Sequence, residues 1–323
     1  MYGNGPIFLV TEWSYRSCIR ENMKYRTLGR TGLKVSVVGV GAWQFGGEWG
    51  KTFTQPEVDA ILDRAAEAGI NLIDTAECYG DHLSERLIGD YLSRHDRDRW
   101  VIATKFGHRF KGFMDRADAF GPEEVRAQLI ASLRALRTDR IDIFQFHSGS
   151  DKTFIDDSLR ACLDEARRSG MVRNLGVSIR WAGSELQTRE AFGRGYGVLQ
   201  VVYNRLDHRA ESGIFPTARR YNLGILARVP LASGLLSGKH EHGENFGPDD
   251  YRSTLGRAEI TRRIRLADKL ADEELSPGIS RVRWALAWCL RDPVVTAVIP
   301  GAKSPEQVAE NASAADLLSE KTP

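Results

Sequence analysis

From Val35 onward, short runs of apolar and β-branched residues alternate with longer segments whose apolar positions recur at helical spacing. The short runs are VSVVGVGAW (35–43), INLIDTA (70–76), WVIATKF (100–106), IDIFQFH (141–147), VRNLGVSI (172–179), VLQVVYN (198–204), LGILARVP (223–230) and TAVIPG (296–301). Most are apolar throughout, as strands covered on both faces must be. The longer segments PEVDAILDRAAEAG, LSERLIGDYLSR, PEEVRAQLIASLRALR, FIDDSLRACLDEARRSG and SRVRWALAWCLRD each gather apolar residues on one helical face, and two open with proline in the first turn. The alternation predicts βα units around a parallel sheet. Eight units in about 280 residues match a (β/α)8 TIM barrel, so the expected fold is α/β and one domain. A doubly wound sheet usually has fewer strands and a glycine fingerprint in its first turn. Gly39, Gly41 and Gly46 in GVGAWQFG are spaced wrongly for that fingerprint, and no helix directly follows them.

No repeat beyond the βα rhythm and no linker divides the chain. The longest irregular stretch, residues 233–256, follows the seventh run and exceeds ordinary loop lengths, which suggests a lid or binding loop. Residues 1–22 have an apolar patch without a basic segment before it or a small-residue cleavage site. They read as an N-terminal extension, poorly ordered, ahead of a barrel domain over 23–323, with Met23 a candidate start.

Composition narrows the function classes. Lysine plus arginine (45) nearly cancels aspartate plus glutamate (43), and the basic residues are scattered, so no nucleic-acid footprint emerges. No run approaches the roughly 20 apolar residues of a spanning helix, so a membrane partner is not expected. A small molecule is the expected partner. Cys18, Cys78, Cys162 and Cys289 lie far apart without a CxxC pair, which points to a reducing, cytoplasmic setting.

In a TIM barrel the active site lies at the C-terminal strand ends. The second run ends at Asp74 with Tyr79 just beyond, the third carries Lys105, and the fourth ends at His147. Each has a plain structural explanation: a turn cap, a packed aromatic, a neutralised lysine, a core histidine. Together they favour chemistry, because titratable groups cluster at functional sites and a buried lysine is costly without a partner. A phenol has a reference pKa of about 10 and is a weak acid at neutral pH. Lys105 beside Tyr79 would stabilise the phenolate, Asp74 would keep the lysine charged, and neutral His147 could donate to the same substrate oxygen.

These four residues, in this order on successive strand ends, together with YRTLGRTGLKVSVVGVGAWQFGG (25–47), resemble the aldo-keto reductase family. The likeness runs from about Lys24 to Leu318 and includes DTAECYGDHLSERLIG, RNLGVS, VPLASGLLSGK and IPGAKSPEQVAEN. It implies an NADPH-dependent oxidoreductase that reduces a small carbonyl substrate, with Tyr79 as general acid, Lys105 and Asp74 as its tuning pair and His147 as orienter. For the cofactor it implies Ser178 and Gln200 at the nicotinamide amide, Gly41 and Trp43 near the floor, and Glu310 and Asn311 at the adenine. Arg228, Pro230, Leu231, Gly234 and Lys239 after the seventh strand, and Gly301, Lys303, Ser304 and Gln307 in the last motif, complete the implied cofactor set. PGAKSPEQVAEN also reads on its own as a loop opening a short helix, with Lys303 and Ser304 placed to meet a phosphate. An ordinary helix start with Ser304 as cap explains it equally.

Three positions depart from the family pattern. Ile179 follows Ser178 where many members have asparagine, Arg228 stands where many have a ring-stacking tyrosine, and Gln307 stands where many have an arginine on the adenosine phosphate. NADH therefore stays possible beside NADPH. His240 and His242 form an HxH without a third ligand at suitable spacing, so no metal is assigned. Cys78 reads as an inert thiol before an oxidation-sensitive one. Trp43, Trp49, Phe106, Phe110 and Phe113 could line an apolar substrate pocket or belong to the core. A non-catalytic nicotinamide-binding sensor or regulatory subunit is the alternative, since the similar potassium-channel β-subunits act through partners.

Overall fold

The computed structural model describes residues 23–181 and 183–318; the N-terminal extension lies outside them. All eight expected strands form: β1 (Val40–Gly41), β2 (Leu72–Asp74), β3 (Val101–Phe106), β4 (Ile141–His147), β5 (Val172–Ser178), β6 (Tyr196–Val202), β7 (Gly224–Arg228) and β8 (Val295–Val298). They pair in parallel in chain order. Parallel bridges from Val38 to Val298 and from Gly41 to Gly301 join the first strand to the last and close the barrel.

The expected strand over 35–43 divides. Lys34–Ser36 pairs antiparallel with Tyr25–Thr27 in a hairpin. Ser36 Oγ donates to Val38 O at 2.7 Å, turning the chain before it enters β1. Leu28 and Val35 of this hairpin pack with Leu72, Ala103, Ile143, Val198, Leu226 and Ala297 as one buried cluster. The hairpin therefore plugs the bottom of the barrel with apolar side chains.

The five expected helices form as α1 (Gln55–Glu67), α2 (Leu83–Leu92), α3 (Pro122–Ala135), α4 (Asp157–Arg168) and, before β8, Arg281–Leu290. α1 has proline in its first turn and a reciprocal cap, in which Thr54 N donates to Glu57 Oε2 at 2.8 Å. Besides short helices such as Glu185–Glu190 and Phe215–Tyr221, two larger features add to the expected plan. Arg257–Glu274 is an 18-residue helix, and His108–Gly112 pairs with Asp115–Asp118 as a hairpin over the barrel mouth after β3. Most of residues 233–256 lack regular structure, and Tyr251–Leu255 forms a short 3-10 turn.

Candidate active site

Residues two apart on a strand share a face, and that period places the chemistry. The buried lumen residues Leu72, Ala103, Ile143, Val198 and Leu226 are followed two positions later by Asp74, Lys105, Gln145, Gln200 and Arg228. The barrel interior thus turns from apolar to polar at one level, near the strand ends. His147 stands two residues above Gln145, at the end of β4.

Lys105 is 1% exposed and holds this layer together. Its Nζ donates to Asp74 Oδ1 at 2.6 Å, to Thr75 O at 2.7 Å and to Tyr79 Oη at 3.1 Å. Gln200 Nε2 donates to both Asp74 oxygens, at 3.0 and 2.8 Å, and also lies 3.1 Å from Gln145 Oε1. Asp74 is therefore held from two sides. Tyr79 reaches this network from the turn after β2, where its ring stacks on Trp43 with centroids 5.9 Å apart. Gly46 permits that approach, since a Cβ there would stand 2.7 Å from the Tyr79 carbonyl carbon. The His147 ring meets Tyr79 edge-on at 6.3 Å.

Burial dominates the electrostatics. It pushes the Tyr79 phenol up to about 12, against the downward pull of Lys105 and with Asp74 adding to the rise. The ammonium of Lys105 ends above its ordinary value, because Asp74 and Tyr79 together outweigh the desolvation that opposes them. His147 falls well below its ordinary value through burial, then through the neighbouring His108, Lys105, Arg228 and Arg116. At neutral pH the site presents a protonated phenol, an ammonium and an uncharged imidazole. Lys105 pulls Tyr79 in the expected direction, yet burial is the larger effect.

A cavity of about 440 Å³ opens above the four residues, with Asp74, Tyr79 and His147 in its wall and Lys105 directly behind them. The conserved-domain model described as "Aldo/keto reductase family" matches residues 37–322. The chain belongs to the aldo-keto reductase family. An aldo-keto reductase from Bacillus halodurans, solved in its holo form, is 30% identical with a TM-score of 0.76 and covers 92% of each chain. The glycerol dehydrogenase of Gluconobacter oxydans is 28% identical with a TM-score of 0.74, over 90% of this chain and 89% of that one. An uncharacterized oxidoreductase of Bacillus subtilis (strain 168) is 33% identical over 93% of both chains. A protein of Oryza sativa subsp. japonica named as a "probable voltage-gated potassium channel subunit beta" is 30% identical over 93% of this chain and 94% of its own. Family membership makes the chain an oxidoreductase of carbonyl compounds.

Most residues that the aldo-keto reductase likeness implies for the cofactor share this cavity. Gly41, Trp43, Gln200, Arg228, Pro230, Leu231, Gly234 and Lys239 line it, as do Gly301, Lys303, Gln307, Glu310 and Asn311. Ser178 lies beneath, 1% exposed, with its hydroxyl 3.3 Å from Gln200 Oε1. Ser304 caps the last helix, Pro305–Ala312, by accepting from Gln307 N, and does not reach the cavity wall. Gln307 Oε1 accepts from Lys303 N at 2.9 Å, so it closes the loop. Arg228 donates to Ile179 O at 3.2 Å and leaves its buried Nε without a partner. Burial lowers its guanidinium despite the attraction of Tyr79, Tyr251 and Asp74.

The residues present fit a dinucleotide. An orphaned guanidinium N–H lies in the wall, and Lys303 is lowered by burial and by Arg252, a crowding of cations that an anion would relieve. Several wall residues escaped the sequence reading. Arg252, paired with Asp250 and His240, comes from the irregular stretch already singled out. His108 and Arg116 come from the unexpected hairpin, where Arg116 Nη2 and Trp43 Nε1 share Glu48 Oε2. Gln145 was visible as an amide inside an apolar run. Trp43 and Trp49 line the cavity, Phe106 is core and Phe113 is exposed. His240 and His242 turn to Glu244 and Asp268 respectively.

Proposed function

We propose that this chain is an NADPH-dependent reductase of aldehydes or ketones, with NADH as a possible second donor. The observation that carries the reading is Lys105 Nζ held between Asp74 Oδ1 at 2.6 Å and Tyr79 Oη at 3.1 Å, behind the wall of a cavity large enough for small ligands. When bound, the nicotinamide supplies the hydride. Tyr79 gives its proton to the carbonyl oxygen as negative charge develops there. The resulting phenolate is stabilised by the ammonium of Lys105, which also lies 4.8 Å from the Tyr79 ring centre. Neutral His147, its ring 6.3 Å from that of Tyr79, helps orient the oxygen by donating a hydrogen bond. Trp43 and Trp49, edge to face at 5.1 Å, offer an apolar surface for the substrate.

For the cofactor, Gln200 would meet the carboxamide, Arg228, Lys239 and Lys303 the phosphates, and Glu310 and Asn311 the adenine. A cytoplasmic location is supported by Cys78, Cys162 and Cys289, all buried and unpaired. Among the described residues, no helix is long and apolar enough to cross a membrane.

The second reading, a nicotinamide-binding regulatory subunit, draws on the channel-subunit relatives. One assay separates the two: NADPH oxidation with a reactive aromatic aldehyde, wild type against Tyr79→Phe. Turnover lost in the variant with NADPH binding retained supports the reductase. Tight NADPH binding without turnover across a carbonyl panel supports the regulatory subunit.

A further inference from the structure

Glu77 and Cys78 lie between Asp74 and Tyr79 in the chain, yet the proposed chemistry gives neither a role. We propose that Glu77, Cys78 and His147 form a binding site for a thiophilic divalent metal ion of the zinc type. A carboxylate oxygen of Glu77, Cys78 Sγ and a ring nitrogen of His147 all lie within 4.8 Å of one another. Cys78 Sγ stands 3.7 Å from His147 Nδ1. Tetrahedral ligands at about 2.3 Å for sulfur and about 2.0 Å for imidazole stand about 3.5 Å apart. One edge of the polyhedron therefore already has its spacing.

The third ligand supplies an independent observation. Glu77 is 3% exposed, and its Oε1 accepts from His108 N at 3.0 Å while its buried Oε2 has no partner. An orphaned buried carboxyl oxygen is costly, and an ion held by the Glu77 carboxylate beside the sulfur offsets that cost. Cys78 is 1% exposed, so the approach is past His147, which lines the cavity. Three protein ligands of mixed O, S and N leave a fourth position open, as at zinc sites that exchange ligands. The charges balance: thiol and carboxyl each release a proton to solvent as the ion arrives, setting two negative charges against two positive. The nearest cations are already engaged, Lys105 by Asp74 and Arg116 by Glu48. With Nδ1 on the ion, the ring proton sits on Nε2, which keeps the hydrogen-bond donor required of His147; that consequence alone rests on the reductase reading.

The test uses the whole protein, stripped with chelator and titrated with Co²⁺. Expected is one equivalent bound, with a thiolate-to-cobalt charge-transfer band that Zn²⁺ abolishes by displacement. Cys78→Ala should lose the band and bind roughly 100-fold or more weakly. Glu77→Gln should weaken binding while keeping a shifted band, which tests the site where the cysteine variant fails to fold. Tyr79→Phe should bind Co²⁺ as wild type does, so binding is read apart from turnover. Absence of stoichiometric binding, a band that survives in Cys78→Ala, or Glu77→Gln affinity equal to wild type would overturn the site.

Discussion

Replacing Lys105 with methionine removes a charge and three hydrogen bonds while keeping most of the volume. Lys105 and Asp74 are 1% and 2% exposed, so the substitution leaves a carboxylate buried with Gln200 Nε2 as its side-chain donor. Breaking a buried pair by deleting one partner costs about 3–5 kcal/mol, a large share of the roughly 5–15 kcal/mol that holds a typical protein folded. Asp74→Asn should cost a comparable amount, since it leaves the buried ammonium without a counter-charge, held only by neutral oxygens such as Thr75 O and Tyr79 Oη. The double variant removes both charges and should be less destabilised than the sum of the singles by about 2 kcal/mol. Urea unfolding of the four proteins at one pH closes the cycle. Activity should follow a different rule. Lys105 is the cation that lowers Tyr79, so its loss raises the phenol further and kcat should fall by about 100-fold or more in both the single and the double variant. NADPH affinity should change little, because Lys105 stands behind the cavity wall. Additive stabilities would refute the account of a coupled buried pair, and kcat recovered in the double variant would refute Lys105 as the group that tunes Tyr79.

Further outcomes follow from single contacts. Tyr79, pushed up to about 12 by burial, stays protonated below that value, and His147, well below its ordinary value, stays neutral. Reduction measured as kcat/KM should therefore be flat from about pH 6 to about pH 9, whereas the reverse oxidation, which needs the deprotonated phenol, should rise with pH; initial rates in both directions decide it, and an alkaline fall in reduction centred near pH 7 would contradict it. Gly41→Ala places a Cβ 2.5 Å from the backbone oxygen of Ile299, which cannot rotate away as a side chain would, and should cost about 1–3 kcal/mol in thermal or urea unfolding by forcing β1 off the chain after β8. Gln307→Arg sets a guanidinium in the cavity wall near Lys303 and should raise the preference for NADPH over NADH by about tenfold, one bidentate charge-assisted contact, as read from the ratio of the two KM values.

The barrel was legible because a strand buried on both faces has few alternatives to continuous apolar composition, and eight such runs appear between helices of ordinary length. The helix Arg257–Glu274 went unread although Ile260, Ile264, Ala267 and Ala271 sit at helical spacing and are buried. Two alanines among many charges make a weak stripe, and the helix is held by packing against Leu235, Leu236 and Trp284 that no local window contains. The hairpin over 108–118 has the same character. His108 and Arg116 are polar, since they face a cavity, and a single phenylalanine, Phe110 opposite Arg116, is too little apolar alternation to carry a strand signal.

The same physics explains which site residues could be read. Asp74, Lys105 and His147 stand out because an ionisable group at the end of an apolar run breaks a pattern, and breaking it is costly unless something answers the charge. Gln145 and Gln200 break the pattern too, but an amide costs less to bury and draws less notice; their position on the lumen face, two residues above Ile143 and Val198, is what turns them into the second support of Asp74. Glu77 and Cys78 break no pattern, because a turn tolerates any residue. Their significance comes from His147, 69 positions from Cys78 in sequence and 3.7 Å from it in space. Sequence thus marks groups whose burial is costly along the strand that carries them. A site formed by a turn of one βα unit and the strand end of another becomes visible only when the barrel has closed.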